Sequence, residues 1–393
     1  MRLSLDYYLQ QTKDGAYFIP VGQALCDHKK AFSLSEEGAF VARKLRDDIS
    51  FENLYESVQE KISREELQDF LEFLQQKNLL EKDVFCETKS HSDEEILFGI
   101  GPLVMHYEGP EDLIHEFMKA FRVGGEVHGH DFEENLQGGS QGDFFFRVQM
   151  GDPEQFLRGR ILHRNKDVLV MENETHYIVL YLQFHHIREM IISKSDFHTV
   201  AYSDTAVNLP AAEGDTREEL FRAMRAACLL KAQSMGAFCM HSASLLYEGK
   251  ALVFSGPSGM GKSTHTAFWR EAFSTEDING DLNLLGQTPE GKYVVYGIPW
   301  CGTSERYRTG TYPLGAIVLL GQGPENVMEE VSESTLAVGQ RFITPAWNAD
   351  LSRQNYAFAE KVAKEVPLIH ATCRKNVDAA YAVRDYLKRE NVL

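Results

Sequence analysis

The sequence predicts an α+β chain in three segments: three strands with three helices at the N-terminus, a strand-rich middle, and a mixed α/β C-terminal segment built around a glycine-rich loop. Three observations predict it. Residues 1–86 pass from strand-like pieces into apolar stripes of helical period. Residues 96–210 read mainly as strands. Within residues 211–393, the apolar run Ala251-Leu-Val-Phe-Ser255 leads into Gly256-Pro-Ser-Gly-Met-Gly261-Lys262-Ser263 and then a helical stretch, Thr264 to Phe273.

Length and composition set the bounds. A chain of 393 residues has room for two or three domains, and 43% hydrophobic residues are enough for a sizeable core without disulfides. The formal net charge of −18 repels nucleic acid backbones and anionic lipid, so neither is expected as a main partner. The six cysteines, Cys26, Cys86, Cys228, Cys239, Cys301 and Cys373, contain no C-x-x-C pair. That spacing speaks against a thiolate zinc site or a redox dithiol and suits a reducing compartment. The first residues lack the charged-then-apolar form of a signal peptide, and no apolar run reaches membrane-spanning length. The chain reads as soluble and cytoplasmic, with its oligomeric state, a homo-oligomer included, left open.

In the first segment, Leu3 to Leu9, Ala16 to Val21 and Ala24 to Phe32 read as strands, with Lys13-Asp14-Gly15 a turn signal between the first two. Ser33 or Ser35 caps a helix running to about Arg46, with Glu36 and Glu37 in its first turn. Ile49 to Ile62 is a second helix, presenting Phe51, Leu54, Tyr55 and Val58 on one face. Ser63-Arg-Glu-Glu66 is a capping box opening a third, whose apolar face is Leu67, Phe70, Leu71 and Leu74 and whose end is Lys77-Asn78. Leu79 to Glu81 returns to strand.

This order resembles a winged helix, and specifically the PqqD-like peptide-recognition domain, through Leu34 to Phe40, Leu54 to Val58 and Phe70 to Leu80. The resemblance implies that the leader of a ribosomally synthesised precursor peptide adds as an extra strand at the edge of the third strand, beside the third helix. A generic winged helix that only packs or dimerises is the plainer alternative. A DNA-binding version is disfavoured, because residues 1–88 carry 11 Lys and Arg against 17 Asp and Glu.

Glu87 to Glu95 is polar throughout and reads as a linker. After it, Ile96 to Tyr107, Asp143 to Met150, Asp167 to Glu172 and Tyr177 to Phe184 are the best strands, and Glu111 to Phe121 is the clearest helix. His128 with His130, and His185 with His186, have no ligand motif around them and read as surface residues rather than metal ligands. Thr216 to Ser234 is an amphipathic helix with Leu220, Met224, Ala227 and Cys228 on its apolar stripe and Gly236 as its stop.

The glycine-rich loop matches G-x-x-x-x-G-K-S, the phosphate-binding loop. Gly256, Gly259 and Gly261 permit backbone conformations closed to other residues, so successive N–H groups can turn toward a polyphosphate. Gly256, Pro257, Ser258, Gly259, Met260, Gly261, Lys262, Ser263 and Thr264 are therefore the expected nucleotide contacts. Lys262 supplies a charge for the β- and γ-phosphates, Ser263 a hydroxyl for Mg²⁺, and the following helix its positive end. ATP and Mg²⁺ are the expected cofactors.

The loop alone names a ligand class, not a reaction. Met240-His241 lies on a strand that turns back into the loop's own strand. Ile278-Asn-Gly280-Asp281-Leu-Asn-Leu-Leu285 puts an acid at the start of an apolar strand. Tyr296-Gly-Ile-Pro299-Trp300-Cys-Gly302 makes a glycine-bounded turn, followed by Arg306 and Arg308. From about Thr216 onward this resembles the HPr kinase family and, more distantly, the ATP-dependent phosphoenolpyruvate carboxykinases. The resemblance implies a P-loop kinase domain of that type, with the middle segment as its variable N-terminal part. It also implies that Asp281 acts as general base on the acceptor hydroxyl with His241 beside it. Chemically, Asp281 can orient a nucleophile and take its proton late, or hold Mg²⁺. His241 is catalytic or a buried hydrogen-bonded histidine, and both readings stand.

Two departures matter. The family carries a double Asp where this chain has Gly280-Asp281, leaving Asp277 as the candidate substitute, and a Glu where it has Thr264. Both argue against HPr as the substrate and against reverse phosphorylase activity. Arg306 and Arg308 are candidate clamps for phosphate or a substrate carboxylate, or strand-end charges, and Trp300 is a substrate wall or a core residue. The expectation is an ATP-dependent kinase phosphorylating a Ser or Thr of a precursor peptide held by the N-terminal domain. A small-molecule kinase acting on free serine, and an ATP-dependent peptide carrier without phosphotransfer, are the alternatives.

Overall fold

A computed structural model of the chain describes residues 2–3, 7–12, 15–20, 30–45, 49–77, 79–81, 95–124, 142–151, 157, 159–203 and 215–393. The chain divides into two compact units, Met1–Lys89 with Pro153–Leu157, and Ser90–Asp152 with Arg158–Leu393. The expected turn at Lys13-Asp14, most of the strand Ala24 to Phe32, most of the linker before Glu95, and His128 and His130 lie outside the described residues.

In the first unit, β1 (Arg2–Leu3) is followed by β2 (Tyr7–Thr12), β3 (Gly15–Pro20) and β4 (Phe32–Leu34). Then come α1 (Glu36–Lys44), α2 (Phe51–Val58), α3 (Arg64–Gln76) and β5 (Leu80–Glu81). The three strands β2, β3 and β4 form an antiparallel sheet in that order, and β1 pairs with β5. Each helix starts on a serine. Ser35 accepts from the Gly38 amide, Ser50 from the Asn53 amide, and Ser63 forms a reciprocal box with Glu66. Phe18, Val41, Leu45, Leu54, Leu67 and Leu74 fill the core beneath them.

The second unit contains two large mixed sheets. The first uses β6 (Ile96–Ile100), β7 (Leu103–Glu108), β8 (Asp143–Met150) and β9 (Arg160–Arg164). It continues with β10 (Val168–Glu172), β11 (His176–Tyr181), β12 (Ile187–Ser193) and β13 (Thr199–Ser203). Their order is β6-β7-β8-β13-β12-β11-β10-β9, antiparallel except at β7–β8 and β8–β13. Two expectations are corrected here. The run Ile96 to Tyr107 is a hairpin rather than one strand, because Gly101 takes a positive φ of 59° and turns the chain before Pro102. Glu111 to Phe121 is a 3₁₀ turn (Glu111–Leu113) and a single helical turn, α4 (Glu116–Lys119), because Ile114 is extended and His115 caps the Phe117 amide.

Helix α5 (Thr216–Ser234) covers this sheet and spans the residues the periodicity predicts. Its Leu220, Met224, Ala227 and Cys228 are buried with Phe98, Phe144 and Phe146 of the sheet, in one core that also takes in Leu282, Ile298 and Trp300. The segments 96–210 and 211–393 thus share a core.

The second sheet carries β14 (Phe238–Tyr247), β15 (Lys250–Ser255), β16 (Glu276–Asn279), β17 (Leu282–Gln287) and β18 (Tyr293–Tyr296). It also carries β19 (Thr311–Gln322), β20 (Val327–Glu330) and β21 (Leu368–Cys373). Its helices are α6 (Lys262–Phe273), α7 (Ser334–Gly339), α8 (Ala349–Glu365) and α9 (Asp378–Arg389). The central strands β15 and β19 run parallel and are apolar on both faces. Val253 and Ile317 point to one layer with Phe358 and Val362 of α8. Leu252, Phe254 and Val318 point to the other, with Trp269 of α6 and Val383 and Leu387 of α9. Among the described residues no helix is long and apolar enough to cross a membrane.

One buried carboxylate ties α5 to the first sheet. Glu219 accepts the backbone amides of His185, His186 and Ile187 at 2.7, 2.7 and 2.9 Å. Replacing it with Ala leaves those donors without their acceptor, so Glu219→Ala is expected to cost about 3 kcal/mol. A lower urea midpoint at unchanged slope checks this.

Candidate active site

The site is assembled by the register of β14. Its Ser242 stands opposite Ser255, the last residue of β15, and its His241 stands opposite Leu282, the first residue of β17. The glycine loop leaves β15 at residue 256, and Asp281 is the residue just before β17. Loop and carboxylate therefore emerge at one level on either side of β14, about 10 Å apart at two strand spacings. Two bonds lock the level: Ser255 Oγ donates to the His241 carbonyl at 2.8 Å, and the Ser242 amide to the Asp281 carbonyl at 2.9 Å.

The loop has the form a polyphosphate needs. Gly259 and Gly261 take φ values of 79° and 97°, which side-chain-bearing residues rarely adopt. The Met260 amide donates to the Pro257 carbonyl at 3.2 Å, and Gln322 Nε2, at the end of β19, donates to the Gly259 and Met260 carbonyls at 3.3 and 3.2 Å. Helix α6 begins on Gly261 with no side-chain cap, so its first-turn amides keep their donors for a ligand. Thr264 stands in that turn, and Ser263 is exposed there. Lys262 curls back with Nζ 3.3 Å from the Gly256 carbonyl and is 9% exposed. Burial pushes its pKa down, and the negative charge of Asp281 opposes that shift.

The acid is positioned by an amide. Asn279 Oδ1 accepts the amides of Asp281 and Leu282 at 2.9 and 3.0 Å, while its Nδ2 donates to the carbonyls of Ile298 and Trp300 at 3.0 and 3.3 Å. Gly302 lies against the carboxylate, and a Cβ there would come within 2.9 Å of Asp281 Oδ2. His241 Nε2 stands 3.3 Å from Asp281 Oδ1, and both side chains are about one-third exposed at 35%. The hydrogen bond from His241 holds the Asp281 carboxyl below the usual range, helped by the charges of Lys262 and Arg225 and opposed by burial.

Beneath the pair runs a fully buried polar network. Asn283 Nδ2 donates to the Ser242 carbonyl and Oγ at 2.7 and 3.0 Å, and Ser244 Oγ donates to Asn283 Oδ1. Among the described residues no three His, Cys, Asp or Glu side chains converge. A divalent cation here would complete its shell with phosphate oxygens and water around Ser263.

The other expected residues fall elsewhere. Trp300 is not a substrate wall: it is 2% exposed, stacks on Phe221 at 5.6 Å and donates Nε1–H to the Phe221 carbonyl at 2.8 Å. Arg306 pairs with Asp277 at 2.9 Å, together with Arg270 at 2.6 Å, and Arg308 pairs with Glu276 at 2.7 Å. These pairs strap the segment after Gly302 onto β16, and they engage Asp277, the candidate second acid. Gly280 has a steric cause, since a Cβ there would meet Ser304 Cβ at 2.5 Å. A second Asp has no room at that position.

Sequence reasoning misses Arg225, Arg341 and Gln322. Arg341 follows α7, and its carbonyl accepts the His241 amide at 2.9 Å. Arg225 sits on α5, within electrostatic reach of Asp281. Neither lies in a motif. Arg225 does have one legible signal, since it follows Phe221 by four residues and so shares its helical stripe.

The sequence matches no family model and no curated protein. A solved structure of the HPr(Ser) kinase/phosphatase from Coxiella burnetii is similar over 39% of this chain and 98% of that one, with 11% identity and a TM-score of 0.22. A likeness of that size transfers no residue role.

His241 is the main cause of the low Asp281 pKa, so His241→Ala is expected to raise it toward the ordinary aspartate range. Carboxyl-carbon NMR titration reads this directly. An unmoved Asp281 titration contradicts the pairing.

Proposed function

We propose that this chain is an ATP-dependent phosphotransferase that moves the γ-phosphoryl group to a hydroxyl. The single observation that carries this reading is the juxtaposition across β14 of an uncapped glycine loop, the buried Lys262 and the Asp281–His241 pair. In the reaction the acceptor oxygen forms a bond to the γ-phosphorus while the bond from that phosphorus to the β,γ-bridging oxygen breaks, and ADP leaves with the bond's electrons. The acceptor's proton passes to an Asp281 carboxylate oxygen. Such a transfer asks mainly for alignment and charge neutralisation. The loop amides and Lys262 supply the charge, and Asp281, fixed by Asn279, supplies the alignment. Mg²⁺, held by Ser263 and the phosphates, would neutralise further charge when bound.

We assign the acceptor to a Ser or Thr of a ribosomally synthesised peptide whose leader is held by the first unit. Two features of that unit support this. Among the described residues β4 pairs on one side only, with β3. Beside it Phe73 of α3 is 39% exposed, with its ring 6.4 Å from Phe32 of β4. An open strand edge next to an exposed aromatic suits β-augmentation by an extended peptide.

Lys262→Ala is expected to lower both nucleotide affinity and turnover, with turnover down about 100-fold or more. Asp281→Asn is expected to keep nucleotide affinity within about two-fold while transfer falls about 10²–10⁴-fold. Labelled ATP with isothermal calorimetry separates the two effects, and normal transfer by Asp281→Asn refutes the base assignment. For the peptide, Phe73→Ser is expected to weaken binding about ten-fold in fluorescence anisotropy, without change in ATP affinity.

A further inference from the structure

Charge does not balance around Asp281. Besides Lys262, two guanidinium groups belong to this neighbourhood. The Arg341 backbone is fixed beside His241, and the next residue, Phe342, bridges to Met240 of the same strand. Arg341 Nε is buried with no hydrogen-bond partner. Arg225 is placed by α5. One turn earlier Phe221 stacks on Trp300, and the Trp300 carbonyl is held by Asn279, whose Oδ1 in turn holds the Asp281 amide. Neither guanidinium makes a side-chain hydrogen bond or ion pair with another described residue. The two arginines of the strap, Arg306 and Arg308, are by contrast both paired.

Two partly buried guanidiniums without an ion-paired anion among the described residues, in a protein of net charge −18, are costly unless a ligand supplies one. The phosphate tail already has the loop amides and Lys262. Arg341 acts electrostatically on Lys262 and Arg225 on Asp281, so the two charges flank the Lys262–Asp281 pair, where the acceptor hydroxyl must sit.

We propose that Arg341 and Arg225 form an oxyanion subsite for the acceptor. The hydroxyl that receives the phosphoryl group then belongs to a molecule carrying a carboxylate or phosphate beside it. On a peptide this means an Asp, Glu or chain-terminal carboxylate next to the Ser or Thr. This rests on the phosphotransfer reading above. It also meets a chemical need: Lys262 and Arg225 add to the His241 hydrogen bond in making Asp281 a weaker base, and an acceptor anion that neutralises Arg225 removes its share as the substrate binds.

Matched acceptors in the full-length protein test it. A short peptide ending in Ser as the free acid is compared with its C-terminal amide, and glycerol 3-phosphate with glycerol, using labelled ATP. The expected result is that one member with an anion is favoured at least ten-fold in kcat/KM. Arg225→Gln and Arg341→Gln are expected to erase that preference by raising KM, with nucleotide affinity within about two-fold. A preference for the free acid assigns a carboxylate, and one for glycerol 3-phosphate assigns a phosphate. Equal use of charged and uncharged acceptors overturns the subsite, and so does a ten-fold loss of nucleotide affinity in either variant. If no acceptor is labelled, the kinase reading fails, and calorimetry in the presence of a non-hydrolysable ATP analogue tests the subsite alone. Uptake of an anionic member but not its neutral partner, lost in Arg225→Gln, upholds it, and no difference overturns it.

Discussion

The Asn279 side chain is the fixed point on which the site depends. It is fully buried and uses its acceptor twice and both its donors. Through those four bonds it joins the end of β16, the start of β17 and the Ile298–Trp300 turn. A buried amide left half-satisfied costs about 1–3 kcal/mol for each orphaned group, so any other arrangement of these three segments is penalised. The chain thus holds the Asp281 carboxylate at the end of a short Asx turn whose geometry the interior dictates. Gly280 and Gly302 complete the constraint, because Ser304 and the carboxylate itself occupy the space their side chains would need.

Positive charge is handled differently in the two halves of the site. Lys262 is buried, loses hydration, and recovers part of that loss from Asp281 and from the Gly256 carbonyl. The strap arginines spend their charge on Asp277 and Glu276, where it fixes backbone rather than ligand. Among the described residues no acid forms an ion pair with Arg225 or Arg341, and Arg341 Nε is buried without a hydrogen-bond partner. Residue type and sequence spacing do not distinguish these arginines. What separates them is whether an acid lies at ion-pair distance once the chain has folded.

That contrast shows where the sequence was legible. The loop, its strand and its helix were readable because glycine at positive φ and an apolar run bounded by turn residues are local signals. Helix α5 was readable to the residue from its period and its Gly236 stop, and the caps Ser35 and Ser63 of the first unit from their spacing, whereas Ser50 caps a helix that the periodicity starts too early, at Ile49. Asp281 was readable as an acid opening an apolar strand. The hairpin at Gly101 was misread, because both arms are apolar and only Gly101-Pro102 separates them. Trp300 was open to two readings because a tryptophan between glycines looks the same whether it walls a pocket or packs under one; its neighbour Phe221 lies 79 positions earlier in the chain. Arg341 was invisible for the same reason, its relation to His241 being a pairing between segments a hundred positions apart.

Strand pairing finally explains why such distant segments meet so closely. Strand β14 pairs with β15 and β17, β17 with β18, β18 with β19, and β19 again with β15, so the pairings close a ring. Within a ring, one strand cannot slip without breaking the pairing on both its edges. A one-residue slip of β14 would also swap its two buried faces, moving Phe238 and Met240 out of the layer they share with Phe358 and Val362 and into the one that holds Cys239. Register, and with it the level at which the loop and Asp281 emerge, is therefore set by apolar burial throughout the sheet. The spacing between the loop and Asp281 is a by-product of core packing, so substitutions far from the loop that disturb β14 or β19 act on the site as directly as changes within it.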